Sequence, residues 1–359
     1  MLYTTELAPR VGFEPTARRL TVVCSTTELP RKRPFRRARY NARLTACQVL
    51  KLGGAMRCFF HPGYVAPLPA GHRFPMSKYA TTRDALAQAG VVFAAPEAAG
   101  RDLLLGVHTP AYVDSVLAAA VDPAIERRIG FPVTDLVARR SVLSVGGTLA
   151  AARAALEHGF AANLAGGSHH AMPDSGAGYC VFNDLAVATR ALLDEALVRR
   201  VLIIDLDVHQ GDGTAVCLAG MEGAFAFSIH AEKNFPVRKA SGWRDVGLPD
   251  GTGDAAYLDA LAGALPELFD TARPDLVLVQ AGVDPHAHDR LGRLALSDAG
   301  LVARDALVRA ACVGRGVPMA ATLGGGYDAD VLALGQRHAR SLLTLGGCAI
   351  PVGLATDDA

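Results

Sequence analysis

The run Asp205-Leu206-Asp207-Val208-His209-Gln210-Gly211-Asp212-Gly213-Thr214 crowds three carboxylates and an imidazole directly behind the apolar stretch Val201-Leu202-Ile203-Ile204. That β-branched stretch reads as a fully buried strand. Ionisable groups are costly to bury unless they are paired or hold a metal. Asp207 and His209 offer a mixed oxygen and nitrogen ligand set, which suits zinc. A polar turn capping the next helix is the alternative, but a cap needs one carboxylate at its position. Asp284 ends Ala281-Gly282-Val283-Asp284, directly after another buried strand, and is the candidate third ligand; by itself it could equally be a helix N-cap. Three protein ligands with one open position describe a catalytic zinc site. Such a metal lowers the pKa of bound water to about 7 and polarises a carbonyl. Fe(II) is also compatible with two aspartates and a histidine.

His169-His170 follows Gly166-Gly167-Ser168 and can present two imidazoles to one pocket. One can act as general base and the other can stabilise developing charge. Imidazoles in those roles need carboxylates to fix their tautomer and basicity, and Asp205 and Asp212 are available for that. Tyr327 follows Gly324-Gly325-Gly326, where backbone can approach a ligand closely, and its phenol could donate to an oxyanion; a surface turn tyrosine is the other reading. No Lys-Ser/Thr follows these glycines, so they are a weak phosphate loop. Gly178 and Tyr179 could wall a narrow apolar channel suited to the methylenes of a lysine, or Tyr179 could simply pack in the core. Cys180 has no separate activating base and reads as a wall thiol.

These residues need a scaffold that gathers them. Strand-like runs at 57–61, 161–165, 201–205, 224–230, 276–280 and 318–323 alternate with amphipathic helical stretches near 135–158, 184–198, 254–270, 298–313 and 329–345. Alternation of this kind predicts an α/β domain with a central, mostly parallel sheet flanked by helices. Each strand ends in polar or glycine-rich residues, and ligands of such sheets bind outside the carboxyl ends of the strands. No internal repeat or linker is evident, so residues 56–350 read as one domain.

Half of the residues are hydrophobic and 20% are charged, which is ordinary for a globular protein. The net charge of +1 hides an asymmetry. Residues 1–55 carry eleven Lys/Arg against three Glu, which leaves 25 basic and 32 acidic residues in the remainder. The body therefore gives no nucleic-acid footprint. The arm reads as a disordered extension, a targeting peptide or a start assigned too early, with Met56 favoured as the true start; a nucleic-acid-binding tail is the weakest reading. Seven cysteines without a CxxC pair fit free thiols in a reducing cytoplasm. No run has membrane-spanning length and no secretory signal is evident. The oligomeric state is not legible.

His169-His170-Ala171, Gly178-Tyr179-Cys180-Val181-Phe182-Asn183-Asp184, Asp205 to Thr214, Ala281-Gly282-Val283-Asp284 with Asp289 and Gly292, and Gly324-Gly325-Gly326-Tyr327 resemble the zinc-dependent histone deacetylase family in order and spacing. The resemblance spans about residues 57–345. His72 to Tyr79 and Asn234-Phe235-Pro236 look like the class IV branch and bacterial histone deacetylase-like amidohydrolases. The resemblance implies an arginase–deacetylase fold and zinc on Asp207, His209 and Asp284. It implies His170 as general base and acid oriented by Asp212, His169 as electrostatic partner linked to Asp205, and Tyr327 as oxyanion donor. Gly178, Tyr179 and Gly325 would contact substrate, with Arg73 and Met76 beneath the metal where the acyl group sits. A potassium ion would use Asp205, Asp207, His209, Ser228 and Ile229. The implied activity is release of acetyl or longer acyl groups from acyl-lysine or a small N-acyl amine, an acetylpolyamine being an alternative. No position matches the rim aspartate of some deacetylases; Asp102 and Asp114 lie outside any motif. A two-manganese ureohydrolase, drawing on His286 and His288, is a remote alternative opposed by His169-His170 and Tyr327. A binding module without activity would need a damaged ligand or base position, and every expected position is intact.

Overall fold

The computed structural model describes residues 56–355; the expectations for the basic arm, 1–55, lie outside the described residues. A single eight-stranded sheet runs in the order β2-β1-β3-β8-β7-β4-β5-β6. Its strands are β1 (Arg57–Phe59), β2 (Val92–Ala94), β3 (Phe160–Asn163), β4 (Val201–Asp205), β5 (Ala224–Ala231), β6 (Arg244–Leu248), β7 (Leu276–Gln280) and β8 (Met319–Thr322). Every neighbouring pair is parallel.

The apolar runs of β4 and β7 are continuous because both of their faces are covered. Leu202, Ile204, Val277 and Val279 enter one core, and Val201, Ile203, Leu276 and Leu278 enter the other. Strand periodicity of two separates the sets. Two short helices, α1 (Lys78–Gln88) and α2 (Arg101–Leu104), open the chain of crossovers, followed by α3 (Pro110–Leu117) and α4 (Pro123–Ile129). The second core takes Ala151, Ala152 and Ala155 of α5 (Asp135–His158) and Leu185 and Leu192 of α6 (Asp184–Asp194). After α7 (Asp212–Leu218), the first core takes Leu261 and Leu265 of α8 (Asp254–Ala272), Leu301 and Val308 of α9 (Asp298–Val313), and Leu334 and Leu342 of α10 (Val331–Gly346).

Helix bounds follow their caps. Thr134 accepts the Val137 amide at the start of α5, and Gly159 ends it at φ 87°. The stretch expected to be helical over 184–198 stops at Asp194, and Ala196 turns the chain with a positive φ of 52°. The edge strands β2 and β6 and the four short helices before residue 130 were not expected from the sequence pattern. Val92–Ala94 has only three residues, and within the apolar run Val91–Ala95 its exposed, half-buried, exposed pattern leaves no strand periodicity to read.

The first turn of α9 is tied to α10 through Asp298. Its carboxylate accepts Arg337 Nε at 2.8 Å and lies 2.6 Å from an Arg340 nitrogen. Burial opposes its charge, but the two guanidiniums outweigh that and hold its pKa below the usual range. A group depressed in this way stabilises the fold above the unfolded carboxyl pKa, about 3.9, and the benefit is lost as pH falls through the folded value. Asp298→Ala is therefore expected to cost about 2 kcal/mol at neutral pH, a partly exposed pair being worth less than a buried one. Denaturant titration of both proteins should show that gap constant above about pH 5 and shrinking below about pH 4. An unchanged midpoint at neutral pH would contradict the role.

Candidate active site

Four adjacent strands at the centre of the sheet, β3, β8, β7 and β4, deliver the polar residues to one edge. β4 runs into Asp205, Asp207 and His209, β7 into Asp284, β3 into His169-His170, and β8 into Gly324 to Tyr327. Strand adjacency is thus what gathers residues more than 150 positions apart.

Asp207, His209 and Asp284 are all buried, and one ligand atom from each lies within 4.8 Å of the others. His209 Nδ1 is 2.9 Å from Asp207 Oδ1 and 3.3 Å from Asp284 Oδ2. Asp284 Oδ2 has no hydrogen bond of good geometry although it is wholly buried. Burial and the neighbouring Asp207 push the Asp284 carboxyl up to about 7. Burial opposes the His209 imidazolium, yet the two aspartates hold it protonated up to about 10. An orphaned carboxylate oxygen beside a second carboxylate and an imidazole is a donor set that fits a divalent cation, which would replace the proton on His209. Gly325 is required here: a Cβ on it would collide with the Asp284 and Asp207 carboxylates, and its amide donates to Asp207 Oδ2 at 2.8 Å.

The two histidines sit in contrasting surroundings. His169 Nδ1 is 2.7 Å from Asp205 Oδ2, and its Nε2 is 3.7 Å from Asp207 Oδ1. Burial disfavours its charge, but those two aspartates outweigh burial and raise its pKa to about 9. His170 Nδ1 is 2.6 Å from Asp212 Oδ1. Burial, then the charge on His169, lower its pKa to about 4 despite that bond. The turn holding the pair is fixed by Asp184, which accepts the Ser168 amide at 2.7 Å and the Gly167 amide at 3.0 Å.

Aromatic walls stand over this edge. Tyr327 and Tyr179 have ring centroids 5.7 Å apart, and Phe235 lies edge-on to His170 at 4.8 Å. Gly178 and Tyr179 both have positive φ, 52° and 67°, held by amides that donate to the carbonyls of Arg128 and Ile129. A Cβ on Gly178 would press into the His170 ring. A left-handed tyrosine is strained, and such strain marks functional positions. Cys180 is buried, and burial pushes its thiol up, away from nucleophile chemistry. Met76 is buried, whereas Arg73 is exposed. With Arg290, Leu291 and Tyr327, Arg73 borders a cavity of about 180 Å³. Ser228 pairs with Asp205 across β4 and β5, with Ile229 next along the strand. His286 and His288 cluster with Asp328 and form a group separate from Asp207, His209 and Asp284. Asp114 is ion-paired at the surface with Arg101, 2.6 Å away.

Several residues of the site were missed from sequence. Gln280 Nε2 donates to Asp207 Oδ2 at 2.6 Å, and a polar residue closing the run Leu276–Val279 was its readable signal. Arg304 is fully buried and donates to the carbonyls of Gly282 and Leu206 at 2.6 and 3.3 Å, fastening the two ligand loops from behind. Lys78, also fully buried, donates to the carbonyls of Gly324 and Gly326 at 2.8 and 3.4 Å. Its ammonium lies 5.3 Å from the Tyr327 ring centroid. Asp289, already part of the motif after Asp284, accepts the Tyr327 amide at 2.7 Å, and Arg290 Nε, which was not read, donates to the Tyr327 carbonyl at 2.6 Å.

The histone deacetylase domain model matches residues 72–343. An uncharacterized protein of Picosynechococcus sp. is 45% identical over 283 residues, covering 78% of this chain and 94% of its own length. A probable deacetylase of Archaeoglobus fulgidus is 30% identical over 282 residues, covering 70% of this chain and 76% of that one. The crystal structure of an HDAC homologue complexed with SAHA superposes with a TM-score of 0.72 at 25% identity, over 83% of this chain and 85% of the other. This chain belongs to the histone deacetylase family and has the family's arginase–deacetylase fold. It is accordingly a hydrolase of the deacetylase class.

Misplacing a reacting group by 1 Å can cost about 100-fold in rate. Lys78→Met, which keeps the stem and removes the donor, is expected to lower kcat about 10- to 100-fold with little change in KM. Steady-state kinetics on an acyl-lysine peptide would check this, and an unchanged kcat would remove Lys78 from the account.

Proposed function

We propose that this chain is a zinc-dependent amidohydrolase that removes acetyl or longer acyl groups from acyl-lysine or a related N-acyl amine. The observation that carries this is the orphaned, buried Asp284 oxygen converging with Asp207 and His209 beside two histidine–aspartate pairs. Zinc held by Asp207, His209 and Asp284 would supply Lewis-acid polarisation of the acyl carbonyl and a lowered pKa for water; Fe(II) suits the same ligands.

The protein's own groups then divide the work. The Nδ1–H of His170 donates to Asp212, so its Nε2 lone pair is free. His170 therefore takes the proton from the attacking water and later gives it to the leaving amine, so that a carboxylate and a free amine result. His169 lies between Asp205 and Asp207, stays charged, and supplies positive potential without exchanging its proton. The Tyr327 phenol stays protonated, since burial and then the nearby aspartates push its pKa well up, and it donates to the oxyanion of the tetrahedral intermediate. Tyr179 and Phe235 wall the passage for an acyl-lysine stem and exclude water from it. The ureohydrolase alternative loses its nitrogen ligands, because His286 and His288 belong to the separate cluster with Asp328.

His170→Ala should lower kcat on an acetyl-lysine peptide by about 10²- to 10⁴-fold. Tyr327→Phe should lower it by about 10²- to 10³-fold, the scale for one oxyanion donor. Elemental analysis should find zinc retained in both variants and lost in Asp284→Ala. Wild-type turnover in both of the first two variants, or undiminished zinc in the third, would sink the mechanism.

A further inference from the structure

Four hydrogen bonds join five chain segments in series around the aromatic walls. Gly178 N–H donates to the Arg128 carbonyl at 2.9 Å, which ends α4 against the wall. His72 Nε2 is 2.8 Å from the Gly130 carbonyl. Arg290 donates to the Arg73 carbonyl at 3.3 Å, and Asn234 Nδ2 to the Leu291 carbonyl at 2.7 Å. The last of these brings in the loop that carries Phe235, whose ring packs edge-on to His170.

Four of these five segments contribute exposed cations: Arg73, Arg127 and Arg128, Lys233 and Arg238, and Arg290. None of these is ion-paired among the described residues. Elsewhere on the surface Arg101, Arg153, Arg190 and Arg293 each have a carboxylate within 3.1 Å, whereas the exposed and mutually distant-in-sequence Arg57, Arg139 and Arg273 have no ion pair among the described residues. The acids of the same segments are largely turned away. Glu126 accepts the Val133 amide at 2.7 Å, and Asp289 accepts the amides of Leu291, Gly292 and Tyr327. The exposed acids of these segments are Asp122, which caps α4 through the Ala124 amide, Asp174 and Glu232, against six exposed cations. The mouth is thus positive on a body whose sequence is acidic overall. A low-dielectric cleft rimmed by one sign of charge concentrates ligands of the other sign and rejects those of its own.

We propose that this rim selects an acyl amine carrying negative charge close to the scissile amide, and disfavours basic tails and polycationic acetylpolyamines. The proposal rests on the amidohydrolase reading for the location of the mouth. Two sources share the chemistry: an acyl-lysine within an acidic stretch of polypeptide, and a small acylated amine bearing a free carboxylate.

The test uses the full chain with zinc and three labelled acetyl-lysine peptides, flanked on both sides by Asp, Ala or Lys. Their kcat/KM values and their affinities by fluorescence anisotropy are compared at low salt and at about 1 M NaCl, where the screening length falls to about 3 Å. The Asp-flanked peptide should exceed the Ala-flanked one about tenfold at low salt, within the range of electrostatic steering, with the Lys-flanked one lowest. High salt should compress the series. The triple variant Arg127→Glu, Arg128→Glu, Arg238→Glu, with folding checked by its thermal melt, should reverse the order. Nε-acetyl-lysine with a blocked α-amine and free carboxylate supplies the small-molecule arm: turnover comparable to the acidic peptide points to a small acid, and turnover of the peptide alone points to polypeptide. Equal constants across the peptides, or a preference for Lys flanks, would overturn the proposal. Absence of turnover with the affinities still ordered Asp, Ala, Lys would defeat the amidohydrolase reading and leave the rim inference standing.

Discussion

The cost of burying Asp205, Asp207, Asp212 and Asp284 at one edge of a parallel sheet governs how everything around them is arranged. Carboxylates removed from water need a counter-charge or donors within reach. Asp205 and Asp212 are each answered by a histidine, at 2.7 and 2.6 Å. Asp207 takes donors from Gln280, Gly325 and the His209 amide. Asp284 accepts one amide, from Val208, and keeps one oxygen unsatisfied. The residual deficit falls where His209 also points, so the same constraint that makes the edge expensive defines a place for a cation.

That local demand explains buried groups farther out. Arg304 bonds the carbonyls of Leu206 and Gly282, just behind the two ligand-bearing loops, and sets their separation. Lys78 grips the carbonyls on both sides of Gly325. Without a carboxylate of its own and fully buried, it has its pKa lowered to about 8, the nearby Asp284 and Asp207 only partly offsetting burial. Lys78 spends its hydrogen bonds on backbone of a strand-end loop, and Arg304, balanced by Asp305 at 2.8 Å, does so with one of its nitrogens, which is how a fold of rigid strands can hold its working residues on irregular chain.

Much of this was legible in the sequence, for physical reasons. β4 and β7 read clearly because both faces are buried, and α5 and α9 read as amphipathic stretches whose ends Thr134, Gly159 and Ser297 fix in the structure. The polar residues closing apolar runs announced the edge where Asp207, His209, Asp284 and His169-His170 meet. The contacts of Lys78, Arg290 and Arg304 to the site were not legible, since there they meet carbonyls and a carbonyl has no sequence signature. β2 escaped notice because a three-residue edge strand with exposed positions has no period to detect. The unpaired cations around the mouth come from segments scattered between residues 73 and 290, and only the series of hydrogen bonds between those segments makes them one surface.

The central claim is that Asp207, His209 and Asp284 together hold one catalytic divalent ion. Anomalous diffraction from crystals of the zinc-loaded protein, recorded on both sides of the zinc absorption edge, tests it most directly. The account predicts a single strong peak bounded by those three side chains, facing His170 and Tyr327. A pair of bridged peaks there, or a peak confined to His286, His288 and Asp328, would contradict it.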